Sequence, residues 1–158
     1  MEVRQIPMAQ LRGIIDEQLA HGEALLPVTG NSMWPLLAGG RDMVRLTRLD
    51  RRVQPGDIVL YQRADGSYIL HRVIRLCAPE TCICCGDAQW EGEQVDEAQI
   101  IAYVTAFRRK GHWQEAARSR SYRFYERFWV YTFPARRPLL RLLRFLQRAR
   151  RGLIRGRR

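Results

Sequence analysis

Between residues 23 and 110 the chain is a succession of short apolar, β-rich runs separated by turn chemistry. This pattern restricts the fold more than any other feature. The runs lie at 24–29, 42–48, 57–63, 67–76, 81–85 and 99–108. The separators are Gly39-Gly40, Pro55-Gly56, Ala64-Asp65-Gly66 and Gly86-Asp87, residues that supply a positive φ, a fixed φ or a local side-chain hydrogen bond. Asp65-Gly66 between two such runs is the strongest hairpin signal. It joins Ile58–Arg63 to Tyr68–Leu76. Side chains alternate across a strand. Ile69, His71 and Val73 therefore share one face, and Leu70 and Ile74 take the other. Both faces are apolar around the histidine, as expected for a strand buried in a barrel-like sheet. The predicted fold class is mainly β.

Helices are expected at both ends. Residues 7–20 place Leu11, Ile14, Ile15 and Leu19 at helical spacing with Arg12, Asp16, Glu17 and Gln18 between them, and Gly22 follows as a stop. This element is expected to pack on the sheet. After Trp113 the composition changes. Ser119 to Tyr131 mixes arginines with Tyr122, Phe124, Tyr125, Phe128 and Trp129, and Pro134 and Pro138 are read as breaks. Residues 139–155 predict a helix with Leu139, Leu142, Leu143, Leu146, Ala149 and Leu153 on one stripe.

Charge divides the chain at the same place. Its 158 residues suffice for one domain with a sizeable core. The formal charge is +11, of which residues 117–158 carry +13 and residues 1–116 carry −2. The expected organisation is a near-neutral β domain over 1–116 and an arginine-rich, amphipathic segment over 117–158. A basic amphipathic helix suits an anionic membrane surface through residues 138–158. Arginine–aromatic mixing is compatible with nucleic acid, the less favoured partner. No apolar h-region opens the sequence, and the longest aromatic-apolar run, Phe128 to Phe133, falls far below the ~20 residues of a membrane span. The expected location is peripheral to a membrane, otherwise cytoplasmic.

The chemistry-bearing residues are few. Ser32 lies in Thr29-Gly30-Asn31-Ser32-Met33-Trp34-Pro35, directly after an apolar run. A hydroxyl on a tight turn and a histidine on a stiff strand are the minimum for nucleophilic catalysis, with backbone N–H groups holding an oxyanion. Lys110 is the only lysine and sits in the polar Arg108-Arg109-Lys110-Gly111. A lysine base must be desolvated, so His71 is the better base. His21 and His112 are weaker candidates. Cys77, Cys82, Cys84 and Cys85 lack the paired spacing or added histidines of a zinc site. They are read as small buried residues, and no metal or cofactor is expected.

Gly-x-Ser-Met-x-Pro, then Pro55-Gly56-Asp57-Ile58-Val59, His71-Arg72-Val73 and Gly86-Asp87, in that order, resembles the catalytic domain of signal peptidase I. The likeness is to the Ser/His branch of archaea and the eukaryotic secretory pathway. Self-cleaving SOS-repressor-type proteins share the superfamily. The resemblance covers residues 26–107 and implies a signal-peptidase-like β fold and a serine endopeptidase acting on a peptide or protein substrate. It implies Ser32 as nucleophile, with its own N–H in the oxyanion hole, and His71 as base. Gly30 would allow close approach of substrate, and Met33 and Pro35 would fix the turn. A third group should orient His71. The acid of Gly86-Asp87 and one six residues on occupy the relevant positions. Asp87 is the assignment and Glu93 the alternative, because relatives carry aspartate at the second position. The family is anchored by an apolar segment that the sequence does not show. A repressor-like switch would need a DNA-binding domain and a cleavable Ala-Gly or Cys-Gly pair before Ser32, and residues 1–31 contain neither. The remaining alternative is a non-catalytic peptide-binding module of the same fold with a basic tail for lipid or nucleic acid.

Overall fold

The computed structural model describes residues 8–77 and 79–155. The side chains of Leu11, Ala149 and Leu153, placed above on helix faces, lie outside those described. The fold is mainly β. Helix α1 (Met8–Ala20) leads into strands β1 (Glu23–Pro27), β2 (Met43–Thr47), β3 (Ile58–Gln62), β4 (Tyr68–Leu76), β5 (Thr81–Cys85), β6 (Glu93–Asp96), β7 (Ile100–Arg109) and β8 (His112–Glu115). Helices α2 (Arg120–Tyr131) and α3 (Arg136–Arg155) follow. The strands form one antiparallel sheet in the order β1-β2-β7-β3-β4-β5-β6, with β8 added to β7. The six predicted strands coincide with β1–β5 and β7.

The β3–β4 hairpin forms as its turn chemistry requires. Asp65 Oδ1 accepts from Ser67 N and Oγ at 2.8 and 2.6 Å, and Gly66 takes φ 84°. The register pairs Val59 with His71 and Tyr61 with Ile69. Every residue from Ile58 to Tyr61 is buried because the sheet has a core on each side. On one side Ile58 and Leu60 join Ile15 and Leu19 of α1, Val44, Leu46 and Phe107. On the other, Val59 and Tyr61 join Val53, Val73, Cys82, Cys84 and Val95. Register shifts in β2, β3 and β4 bend and twist the sheet.

Two strands carry no alternating apolar signal. β6 has one buried apolar residue, Val95, and β8 is exposed along its length. Both are edge strands, formed by pairing with β5 and β7. The β7–β8 turn uses Lys110 at φ 50° and Gly111 at φ 86°.

Buried contacts cross the 116/117 division. Ser119 caps α2 by accepting from Tyr122 N at 3.2 Å. Tyr122 and Trp129 then bury on the β domain. Trp129 donates to Asp87 O at 3.1 Å and Tyr125 Oη to Asp87 Oδ2 at 3.0 Å. Arg136, fully buried, donates to Gly86 O at 3.3 Å and Trp129 O at 2.6 Å. Pro138 does not break the chain. It lies in the first turn of α3, where a backbone N–H would have no helical partner. Within the predicted leucine stripe, Leu139 and Leu143 are half-buried. Leu140 is buried, whereas Leu142, Phe145 and Leu146 are exposed. No helix among the described residues is long and apolar enough to cross a membrane.

The centre of these contacts is Arg72. Neither its side chain nor that of Asp87 has solvent exposure. Arg72 Nε and Nη2 meet the two Asp87 oxygens at 2.9 and 2.8 Å, and Nη1 donates to Gly56 O at 2.9 Å and Tyr122 Oη at 3.2 Å. Removing one partner of such a pair strands a buried charge. Arg72→Met is expected to lower unfolding free energy by about 3–5 kcal/mol in a denaturant titration. A loss under about 1 kcal/mol, the scale of a surface pair, would contradict this.

Candidate active site

The turn that carries Ser32 is pinned from both ends. Val28 N donates to Asp42 O at 2.9 Å and Gly40 N to Val28 O at 2.8 Å. Gly39 packs so closely that a Cβ there would stand 2.3 Å from Thr29 O. Asn31 Oδ1 accepts from Gly39 N at 3.2 Å. Met33, Leu36 and Leu37 insert into the α1-side core, which leaves Ser32 half-buried at the rim. The Trp34–Pro35 peptide is cis. Gly30 is exposed, with no atom within 4 Å of where its Cβ would be. Met33 thus holds the turn through its buried side chain, and Gly30 leaves space above it.

Gly86 joins this turn to His71. A Cβ on Gly86 would lie 2.6 Å from Ser32 O and 3.1 Å from His71 Nε2. Only a residue without a side chain fits between them. Ser32 O also accepts from Ala88 N at 2.7 Å. The imidazole Nε2 therefore looks toward the Ser32 turn across the glycine. Among the described residues, Ser32 Oγ makes no hydrogen bond to His71, and the Ser32 and Met33 N–H groups donate to no protein acceptor.

Behind the ring lies Glu93, not Asp87. His71 Nδ1 is 3.2 Å from Tyr61 Oη and 3.6 Å from Glu93 Oε1, and Tyr61 Oη donates a short hydrogen bond to the same Glu93 oxygen. Because the Tyr61 hydrogen goes to the carboxylate, its oxygen is left to accept from His71 Nδ1–H. This network assigns the tautomer and leaves the lone pair on Nε2, the nitrogen that packs against Gly86. Arg63 fixes Glu93 through a bidentate pair at 2.8 and 2.7 Å.

Electrostatics keep the ring neutral. Burial pushes the His71 pKa down to about 4; Glu93 opposes this and Arg63 adds to it. Burial pushes the Glu93 carboxyl up, but hydrogen bonds from Arg63 and Tyr61 outweigh it and hold the group below the usual range. Burial and the adjacent carboxylate raise the Tyr61 phenol, so it stays protonated.

The structure seats Asp87, the acid assigned from sequence, against Arg72 and not against His71. Arg72 follows His71 in β4, so it points to the opposite face, and Asp87 pairs with Arg72 there. Glu93 opens β6, paired opposite Cys84, which in turn pairs with Val73 on the His71 face. Tyr61 and Arg63 were not singled out from sequence. The hairpin register places Tyr61 two residues from Val59, the partner of His71, and hence on the histidine's face. That step needs the observed three-residue loop, in which Arg63 N donates to Ser67 O at 3.0 Å; a two-residue Asp65-Gly66 loop would set Leu60 opposite His71.

The other candidates lie elsewhere. His21 is exposed and bonds Glu17 O at 2.9 Å, His112 is exposed on β8, and Lys110 is exposed at the β7–β8 turn. All four cysteines are free, with Cys82 and Cys84 sulfurs 3.7 Å apart on the His71 side of the sheet. A cavity of about 450 Å³ opens beside Glu93, lined by Arg63, Gln89, Trp90, Gly92 and Arg144. No family model matches the chain, and no match among curated proteins was found.

An unfolded histidine takes up a proton near pH 6.5, whereas folded His71 resists protonation down to about pH 4. Its contribution to stability is therefore complete above about pH 6.5 and declines as pH falls toward 4. His71→Phe is expected to flatten the stability–pH curve in that window. Side-chain NMR should show the His71 ring titrating nearer 4 than 6.5, and a midpoint at or above 6.5 would contradict the buried, neutral assignment.

Proposed function

We propose that this protein is a serine endopeptidase of signal-peptidase type, cleaving a leader or signal-like peptide with a Ser32/His71 mechanism. The observation that carries it is the orientation of His71. Its unprotonated Nε2 faces the Ser32 turn across Gly86, and its Nδ1 is backed by Tyr61 and Glu93. Ser32 Oγ attacks the scissile carbonyl carbon and passes its proton to Nε2. Glu93, fixed by Arg63, offsets the positive charge that then develops on the buried ring. The unpaired N–H groups of Ser32 and Met33 receive the oxyanion. His71 returns the proton to the leaving amine, and water attacks the acyl-serine with His71 again as base. The cavity beside Glu93 receives part of the peptide. Asp87 has no part in proton transfer and acts through the fold.

The same reading holds the enzyme at an anionic membrane surface through residues 138–158. Its support is the exposure of Leu142, Phe145 and Leu146 on a helix that also exposes Arg141, Arg144 and Arg148. One observation favours the alternative, a non-catalytic peptide-binding module of this fold. Ser32 Oγ is not hydrogen-bonded to His71. Apo sites often show loose catalytic contacts that tighten on substrate binding, and reactivity separates the two readings.

A fluorophosphonate probe should label the wild-type protein at Ser32. Ser32→Ala and His71→Ala should abolish labelling, and Lys110→Ala should retain most of it. Because the base must be neutral and His71 holds its proton only near pH 4, labelling should persist at pH 5.5 and fall on further acidification. An unlabelled wild-type protein would leave the binding module. Loss of labelling in Lys110→Ala but not His71→Ala would reject the histidine base.

A further inference from the structure

Helix α2 has two apolar faces, and only one is used by the fold. Tyr122, Tyr125 and Trp129 recur at i, i+3 and i+7 and form the docked face, bonded to Arg72 and Asp87. Phe124, Phe128 and Tyr131 recur at i, i+4 and i+7, about 125° around from the docked face on a helix with 3.6 residues per turn. They are 73%, 41% and 82% exposed. The rings of Phe124 and Phe128 stack, 6.5 Å apart with planes 14° from parallel. The helix cannot roll to hide this stripe, because its other side is held by the buried Arg72–Asp87 pair. Trp129 is on the docked side and buried.

The charges beside the stripe identify what it suits. Arg120, Arg123 and Arg127 are exposed along α2 and make no ion pair among the described residues. The helix's one acid, Glu126, is turned inward against Gly56. An apolar aromatic stripe bordered by unpaired arginines, with no acid on the outer side, is complementary to an anionic bilayer. Aromatic rings enter the headgroup boundary and guanidinium groups meet lipid phosphates.

We propose that the outer face of α2, through Phe124, Phe128 and Tyr131 with Arg120, Arg123 and Arg127, docks on an anionic lipid surface. This contact is separate from the α3 contact proposed above and does not depend on Ser32 being a nucleophile. The outer face of α3 exposes Arg141, Arg144 and Arg148 and so offers a second copy's α2 no charge complement.

The test is sedimentation of the full chain with phosphatidylcholine vesicles, with and without phosphatidylglycerol. Phe124→Ser/Phe128→Ser/Tyr131→Ser changes only exposed side chains and preserves charge. It should weaken binding to anionic vesicles by about tenfold or more, and wild-type protein should not sediment with neutral vesicles. Leu142→Gln/Leu146→Gln serves as the separate α3 comparison, and the α2 triple variant should weaken binding further in that background. Wild-type strength in the triple variant would overturn the proposal, as would equal binding to neutral vesicles. A self-association seen by analytical ultracentrifugation and abolished by the triple variant would assign the stripe to a second copy. Loss of single-stranded oligonucleotide binding in that variant, with vesicle binding intact, would assign it to nucleic acid. A negative probe-labelling result with the vesicle result intact would reject the peptidase and leave the lipid surface standing.

Discussion

Arg72 and Asp87 meet with no solvent exposure, and the arrangement around His71 depends on their pairing. A charge removed from water costs several kcal/mol unless its partner and its hydrogen bonds are complete. Completion here draws in distant parts of the chain. Arg72 reaches Gly56 and Tyr122, and Asp87 receives Tyr125 and Trp129. Arg136 grips Gly86 from the same side. The loop that separates Ser32 from His71 is therefore held from behind by two helices lying beyond the charge boundary at residue 117.

Neighbouring residues on one strand divide two tasks. His71 and Arg72 point to opposite faces of β4, and each collects its own carboxylate. The arginine's acid is fully buried and structural. The histidine's acid sits at a sheet edge, partly exposed and tied to Arg63. This separation keeps Glu93 ionised beside a neutral imidazole, a pairing suited to a base that must accept a proton and have the resulting charge offset.

Much of the fold could be read from residues. Asp65-Gly66 defines the hairpin, and the apolar runs mark β1 to β5 and β7. The edge strands β6 and β8 could not be read, because an edge needs no second apolar face and its strand character comes from its partner. Helix α2 was hidden because its two aromatic faces blur the 3.6-residue period. Within the site, Ser32 and His71 stand out by local chemistry, and the geometry brings their turn and strand together. The acid beside His71 was not singled out first because Asp87, which the structure pairs with Arg72, sits in the more familiar dipeptide. Which face each acid reaches depends on the β4–β5–β6 register, and strand-by-strand periodicity does not contain it.

The central claim is that Glu93 serves His71 while Asp87 serves the fold. The most direct measurement is the rate of covalent modification of Ser32 in Glu93→Gln and Asp87→Asn, each normalised to the folded fraction. Loss of the carboxylate behind a catalytic histidine lowers rates by up to about 10⁴-fold. Glu93→Gln should slow the modification by at least about a hundredfold with a modest change in stability, and Asp87→Asn should lose much stability with a smaller effect per folded molecule. Wild-type reactivity in Glu93→Gln, together with a stable but unreactive Asp87→Asn, would contradict it.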